Sequence, residues 1–228
     1  MKWRVGFFIL VLFVTACGIG VDDSDKKIFR YNESAGMHTL DPAFSKDQAT
    51  IWATNQLFNG LVQLDHDLNV KPSVAKSWDI SSDALSYTFN LRNDVFFHDH
   101  ELFKNGKGRK VTASDFEYSF NRLLDKDFAA PGAWVLGNVA SFSALNDSNF
   151  TIKLQKPFPA FLSLLSMQYC SVVPKEIIDG SDFNRNPIGT GPFKFQLWKD
   201  GVKLVFRKNR SYFEKEGEEQ LPYLDAVA

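Results

Sequence analysis

Leu85-Ser86-Tyr87-Thr88-Phe89-Asn90-Leu91-Arg92 alternates apolar and polar side chains without a break. Successive side chains of a strand point to opposite faces, so this stretch predicts a strand with one face in a core and the other in water. Asn93-Asp94 then signals a turn, and Val95-Phe96-Phe97 returns to apolar residues. Phe150-Thr151-Ile152-Lys153-Leu154 repeats the alternation downstream and predicts a second strand of the same kind.

Between them lies a helix start. Thr112 and Asp115 have the spacing of a capping box, in which the threonine side chain accepts from the Asp115 amide while the carboxylate reaches back. Val111 and Phe116 stand where a hydrophobic staple would, and Phe116, Phe120, Leu123 and Leu124 continue the buried stripe.

Further out, Phe29 to Glu33 predicts a first strand, interrupted at Leu40-Asp41-Pro42 because the residue before proline is pushed away from the helical region. Gln48 to Asn59 carries an imperfect helical stripe (Ile51, Ala53, Leu57, Phe58), with Gly60 placed as its cap. Pro157 and Pro159 introduce a helix at Phe161 to Leu165. The last third predicts a hairpin, with alternation at Phe193, Phe195 and Leu197, an Asp200-Gly201 turn, and a return through Leu204 and Phe206. Strands and helices interleave without an internal repeat, which gives an α/β class with mixed sheets.

The first residues form a different unit. Met1-Lys2-Trp3-Arg4 precedes an apolar run from Val5 to Val14 broken only by Gly6, then Thr15-Ala16-Cys17. That is a secretory signal, too short for the roughly 20 apolar residues that span a bilayer. Val14-Thr15-Ala16-Cys17 resembles the bacterial lipobox, so residues 1–17 are expected to be removed up to a lipidated Cys17 that anchors the chain in a membrane, with 18–27 as a tether. Cys170 is the only other cysteine. Its neighbours predict a half-buried strand, where a thiol acts as a small hydrophobe.

Composition narrows the function. A formal net charge of −1 without a long one-sign block gives no case for nucleic-acid binding. The stretch Lys104, Lys107, Arg109 and Lys110, interrupted by glycines, reads as a solvated loop. Hydrophobic residues at 44% suffice for a core, and 22 phenylalanines place aromatic rings in that core or on a ligand surface. The sequence lacks a nucleophile elbow, an H-E-x-x-H pair, a phosphate loop and a Cys-x-x-Cys pair, so no enzyme activity is expected. His98-Asp99-His100 is the one cluster that suggests a metal, but two ligands without a third make a weak site, and the pair reads as histidines at a loop mouth. No cofactor and no metal are expected.

Taken in order, Leu40-Asp41-Pro42, Ala75-Lys76-Ser77-Trp78, Tyr87 to Arg92, Phe97-His98-Asp99, Val111 to Ser119, Val173-Pro174-Lys175 and Gly189-Thr190-Gly191-Pro192-Phe193 resemble the family 5 solute-binding proteins, the oligopeptide and dipeptide binders of ABC importers. The resemblance implies a two-lobed clamp of the periplasmic-binding-protein kind. Residues 28–71 with 186–228 would then form a split, incomplete first lobe, and 72–185 an extra subdomain packed on it. Leu221-Pro222-Tyr223-Leu224-Asp225 resembles the passage before the family's second lobe, so a fragment is expected. Two departures stand out: an insertion from His100 to Arg109, and Gly36 where relatives can carry a ligand-facing acid.

The resemblance further implies a monomer that captures short peptides by lobe closure and presents them to a membrane permease. Its ligand contacts carry over to Gly36, Met37, His38, Trp134, Met167 and Tyr169. Nickel chelates, sugars or other small solutes are the alternative ligands within the family, and a structural or adhesive surface lipoprotein is the alternative outside it.

Overall fold

A computed structural model describes residues 26–228. The signal segment, the lipobox with Cys17 and the start of the tether lie outside the described residues. Among the described residues, no helix is long and apolar enough to cross a membrane.

Two four-stranded sheets organise the chain. The first contains β4 (Ala75–Ile80), β5 (Ser86–Leu91), β6 (Val139–Asn146) and β7 (Asn149–Leu154) in the order β4-β5-β7-β6, all antiparallel. The alternation of β5 buries Tyr87, Phe89 and Leu91 on one face, and Phe150, Ile152 and Leu154 of β7 join them there. Helix α2 (Ala113–Leu124) closes this face. Its Phe116 and Phe120 rings pack on Phe150 at centroid distances of 5.9 and 5.5 Å, and Phe120 meets Phe142 at 5.6 Å. These edge-on and tilted contacts are the geometry aromatic quadrupoles favour.

At the start of α2, the Asp115 carboxylate accepts from the Thr112 amide at 2.8 Å and from its hydroxyl at 3.1 Å. The expected staple residues, Val111 and Phe116, are both buried. Arg109 departs from the solvated-loop reading. Its guanidinium binds Asp115 at 2.7 Å and Glu176 at 2.6 Å, tying the helix start to α4 (Lys175–Gly180). Within the insertion Phe103 is buried and stacks on Phe97 at 6.1 Å, while Lys104 and Lys107 are exposed as expected.

The second sheet has the order β1-β12-β9-β8, with β1 (Ile28–Phe29) parallel to β12 (Ala226–Val227) and antiparallel pairing from β12 through β9 (Lys203–Lys208) to β8 (Phe193–Lys199). The first strand is shorter than expected, although the Tyr31 amide still donates to the Ala228 carbonyl at 2.9 Å. The Asp200-Gly201 hairpin forms, with Gly201 at φ 64°, a left-handed value that glycine adopts at little cost. A bulge between Phe195 and Leu197 breaks the expected alternation, and Leu197 emerges 42% exposed.

Helix α1 (Gln48–Leu57) packs against β8. It ends at Leu57 rather than Asn59, and Phe58 is already extended (φ −130°, ψ 157°), so Gly60 does not serve as a left-handed cap. A different contact closes the helix. The Gly191 amide donates to the Leu57 carbonyl at 2.9 Å. A Cβ at Gly189 would lie 2.0 Å from the Leu57 carbonyl oxygen, and one at Gly191 would lie 2.5 Å from that of Gln56, so the approach admits only glycine.

Around this approach runs a buried polar seam. Thr190 donates to the Asn59 side-chain oxygen at 2.9 Å, Asn59 donates to the Tyr212 hydroxyl at 3.2 Å, and Asn209 donates to the Gly191 carbonyl at 3.0 Å. Two short ribbons complete the chain: β2 (Val62–Leu64) with β3 (Val70–Pro72), and β10 (Lys215–Glu216) with β11 (Glu219–Gln220). The remaining helix, α3 (Phe161–Leu165), falls where the two prolines predict it.

Candidate functional site

Three short 3-10 helices, Pro42–Phe44, Pro131–Leu136 and Gln168–Cys170, pack against one another. Two open on a proline, whose fixed φ suits a first helical position. Asp41 caps the first, accepting from the Ala43 amide at 3.0 Å. The third is pinned to the first by the buried Gln168, whose amide donates to the Ser45 carbonyl at 2.8 Å. The Tyr169 ring lies directly on Gly132, where a Cβ would come within 2.3 Å of Cδ1.

This cluster gathers half of the sequence-predicted contacts. Trp134 stands 58% exposed in the second helix, while Met167 precedes the third and Tyr169 lies within it, both half-buried. Desolvation first, and then the charge of Asp47, raises the Tyr169 phenol pKa above its usual value. Gly36, Met37 and His38 are anchored elsewhere. They precede Thr39 and Leu40, which are tied to Asn184 by a hydroxyl-to-amide bond of 3.0 Å and a backbone bond of 2.9 Å. Gly36 and His38 are exposed, and Met37 is half-buried against the core.

Beside the turns is an open cavity of about 360 Å³, lined by Asp41, Tyr118, Arg122, Phe128, Ile178 and Phe183 among others. The buried Asp41 carboxylate takes two hydrogen bonds from Arg122, one of 3.1 Å from Nη1 and a second, shorter one from Nη2. Burial and the nearby Asp179 raise the Tyr118 phenol to about 12.

Sequence reasoning missed a second exposed aromatic group. Phe29, Tyr31 and Trp52 form a row with centroid distances of 6.5 and 5.5 Å, each close to half exposed. The Glu33 carboxylate sits at its end, accepting from the Tyr31 hydroxyl at 3.1 Å and the Ala35 amide at 2.9 Å. Trp52 was hidden in the imperfect stripe of α1, and only knowledge of which helix face is covered would have exposed it.

The histidine pair at a loop mouth is not what forms. His98 is buried, its Nε2 donating to the Gly191 carbonyl at 3.0 Å and its amide donating to the Gly189 carbonyl at 2.8 Å. Desolvation holds it neutral, with its pKa lowered to about 4. His100 instead accepts from the Leu102 amide at 3.2 Å. Among the described residues, no three His, Cys, Asp or Glu side chains gather to hold a metal. Cys170 lies in a turn, not a strand, and burial pushes its thiol up to about 12, which makes it packing rather than a nucleophile.

Residues 69–228 match the model of the bacterial extracellular solute-binding proteins, family 5 Middle. The chain belongs to that family. A family 5 protein is an extracellular binder of solutes and not an enzyme. The di/tripeptide-binding protein 1 of Pseudomonas aeruginosa is 32% identical over 181 residues, covering 71% of this chain and 33% of the relative. Among solved structures, the periplasmic binding protein DppA of Helicobacter pylori, in complex with the peptide STSA, superposes with a TM-score of 0.78 at 30% identity, over 91% of this chain and 43% of that one. NikZ of Campylobacter jejuni in complex with Ni(L-His) gives 0.72 at 31% identity, over 89% and 38%. The family 5 chain thus spans between a third and just under half the length of these relatives.

Proposed function

We propose that this family 5 protein is the solute-capturing component of an ABC importer, that it takes short peptides, and that it hands them to a membrane permease. The observation that carries the reading is the joint likeness, over most of the chain, to a di/tripeptide-binding relative and to a fold solved with a tetrapeptide bound. In this reading the second sheet, with residues 28–71 and 186–228, is the split first lobe and residues 72–185 are the subdomain beside it. Capture is by closure against a facing lobe, and the ligand shifts the open–closed equilibrium only as far as it binds the closed form better. Cys17, lipidated, holds the carrier at the membrane surface.

Gly36, Met37 and His38 on one segment, with Trp134, Met167 and Tyr169 on the turn cluster, are the ligand contacts of this reading. An exposed indole and a flexible thioether suit side chains of varied sequence, while the peptide backbone meets main-chain donors and acceptors. A nickel–histidine chelate is the second reading, supported by the likeness to NikZ.

Thermal unfolding of the unlipidated full chain separates them. A ligand at 100 times its dissociation constant adds about 2.7 kcal/mol to native stability. An upward shift with trialanine and Ser-Thr-Ser-Ala, absent with nickel–histidine and with sugars, supports peptide capture. A shift with nickel–histidine alone replaces it with the chelate reading, and no shift with any of these solutes overturns both.

A further inference from the structure

One guanidinium reaches three of the segments around the turn cluster. Arg122, on the last turn of α2, is nearly buried, with 11% of its side chain exposed. It makes its paired hydrogen bonds to Asp41, its Cζ lies 4.0 Å from the Phe128 ring centre, and 5.9 Å away is the ring of Phe183. Asp41 begins the Pro42–Phe44 turn and follows the Gly36–His38 segment. Phe128 opens the loop that leads to Trp134. Phe183 adjoins Asn184, the residue that ties down Thr39 and Leu40.

We propose that Arg122 is the positioning residue of this site: through Asp41 and Phe128 it makes the segment 36–45 and the loop 126–136 a single rigid unit. The inference rests on the reading of these segments as the ligand contacts, but the coupling itself does not depend on any ligand.

Three features support it. A paired, hydrogen-bonded carboxylate–guanidinium contact fixes orientation as well as distance, which a lysine does not reproduce. The Phe128 ring lies between the guanidinium and Phe44, which it meets edge-on at 4.9 Å, so stacking continues the ion pair into the first turn. Next to Phe128, Ala129 adopts φ 48°, a left-handed conformation unfavourable for alanine that persists only where its surroundings hold it. Its amide donates to the Asp125 carbonyl at 3.1 Å, and the ring next to it is the one that lies on the Arg122 guanidinium.

Hydrogen exchange followed by mass spectrometry on the ligand-free full chain tests the coupling, with Arg122→Met, the conservative Arg122→Lys, and Arg109→Met as a control that breaks a comparable ion network in the same subdomain. The expected result for Arg122→Met is at least roughly tenfold faster exchange in both 39–45 and 126–136, with β5 and β7 unchanged. Arg122→Lys, which keeps the charge but not the fork or the stack, should show the same pattern at smaller amplitude, and it decides the question alone where the methionine variant does not fold. Arg109→Met should leave both segments as they are. Faster exchange in only one segment, in neither, or equally throughout β5 and β7 overturns the proposal. Because no ligand is added, a protein that shows the coupling yet gives no thermal shift with peptides refutes the peptide reading and leaves the positioning role standing.

Discussion

The sheet of β4 to β7 and the cluster of three 3-10 turns border each other, yet they are held by different means. The sheet is a layer of side chains repeated at a fixed period, with Phe89, Phe150 and Ile152 fully buried and the α2 rings of Phe116 and Phe120 laid across it. The turn cluster has almost no period. It is held by single contacts: Asp41 to Arg122, Gln168 to Ser45, the Tyr169 ring on Gly132. Loss of one member of a packed layer is felt through a cavity, whereas loss of one member of a contact chain is felt through the orientation of what hangs on it. The first region carries much of the core, and the second carries half of the candidate contacts.

The sharpest test of that division is Phe150→Ala. The ring is fully buried against three other phenylalanines, and truncation at such a site costs about 3–5 kcal/mol. Urea unfolding should show the midpoint falling with its slope unchanged. A loss below about 1 kcal/mol would mean that the layer collapses around the gap and that the aromatic packing is not the main store of stability.

His98 gives the next effect and joins the buried polar seam at the Gly191 carbonyl, which Asn209 also reaches. Its folded value of about 4 lies below the ordinary 6.5, so the unfolded chain binds the proton more readily between those limits. Its contribution is therefore complete above pH 6.5, declines as pH falls toward 4, and changes no further below, for a total of about 3 kcal/mol. Carboxylates add their own slope at the acid end, so the comparison is with His98→Gln, whose stability should vary less over the same window. Identical pH profiles for the two proteins would rule out the buried neutral histidine.

Gly189→Ala follows, at about 2 kcal/mol or more, since a methyl 2.0 Å from the Leu57 carbonyl oxygen must push backbone and not a flexible side chain. Calorimetric melting against the wild type measures it. An unchanged midpoint would show that the Gly189 approach to α1 is looser than this geometry.

These differences explain what the sequence could disclose. Periodic elements such as β5, β7, α2 and the β8–β9 hairpin were legible because a period is a property of neighbouring residues. Leu197 was misplaced because a bulge changes the period without a fixed residue signature. His98 was misread for a related reason: its partners, Gly189 and Gly191, lie 91 and 93 residues away, and nothing local says the ring turns inward. In the candidate site, Trp134 and Tyr169 are named through a family resemblance, not through periodicity. Arg122 went unnoticed because at helical spacing it is indistinguishable from a solvated cation, and only the fold brings Asp41 to it across 81 residues.

Trp134→Ala should have the smallest effect on stability and is the most informative about the site. The side chain is 58% exposed, so its removal forfeits little burial, and the melting temperature should shift by no more than about 0.5 kcal/mol implies. An exposed indole is the kind of side chain that anchors a bound partner. Isothermal titration with Ser-Thr-Ser-Ala at a temperature where both proteins are fully folded should then show weaker binding by the variant, by about 1 kcal/mol or more if the indole is an anchor. Equal affinity with equal stability would remove Trp134 from the ligand contacts. A large loss of stability would place it with the sheet's phenylalanines instead, and the division between a periodic region that stabilises and a contact-held region that binds would fail at the residue where it is most exposed.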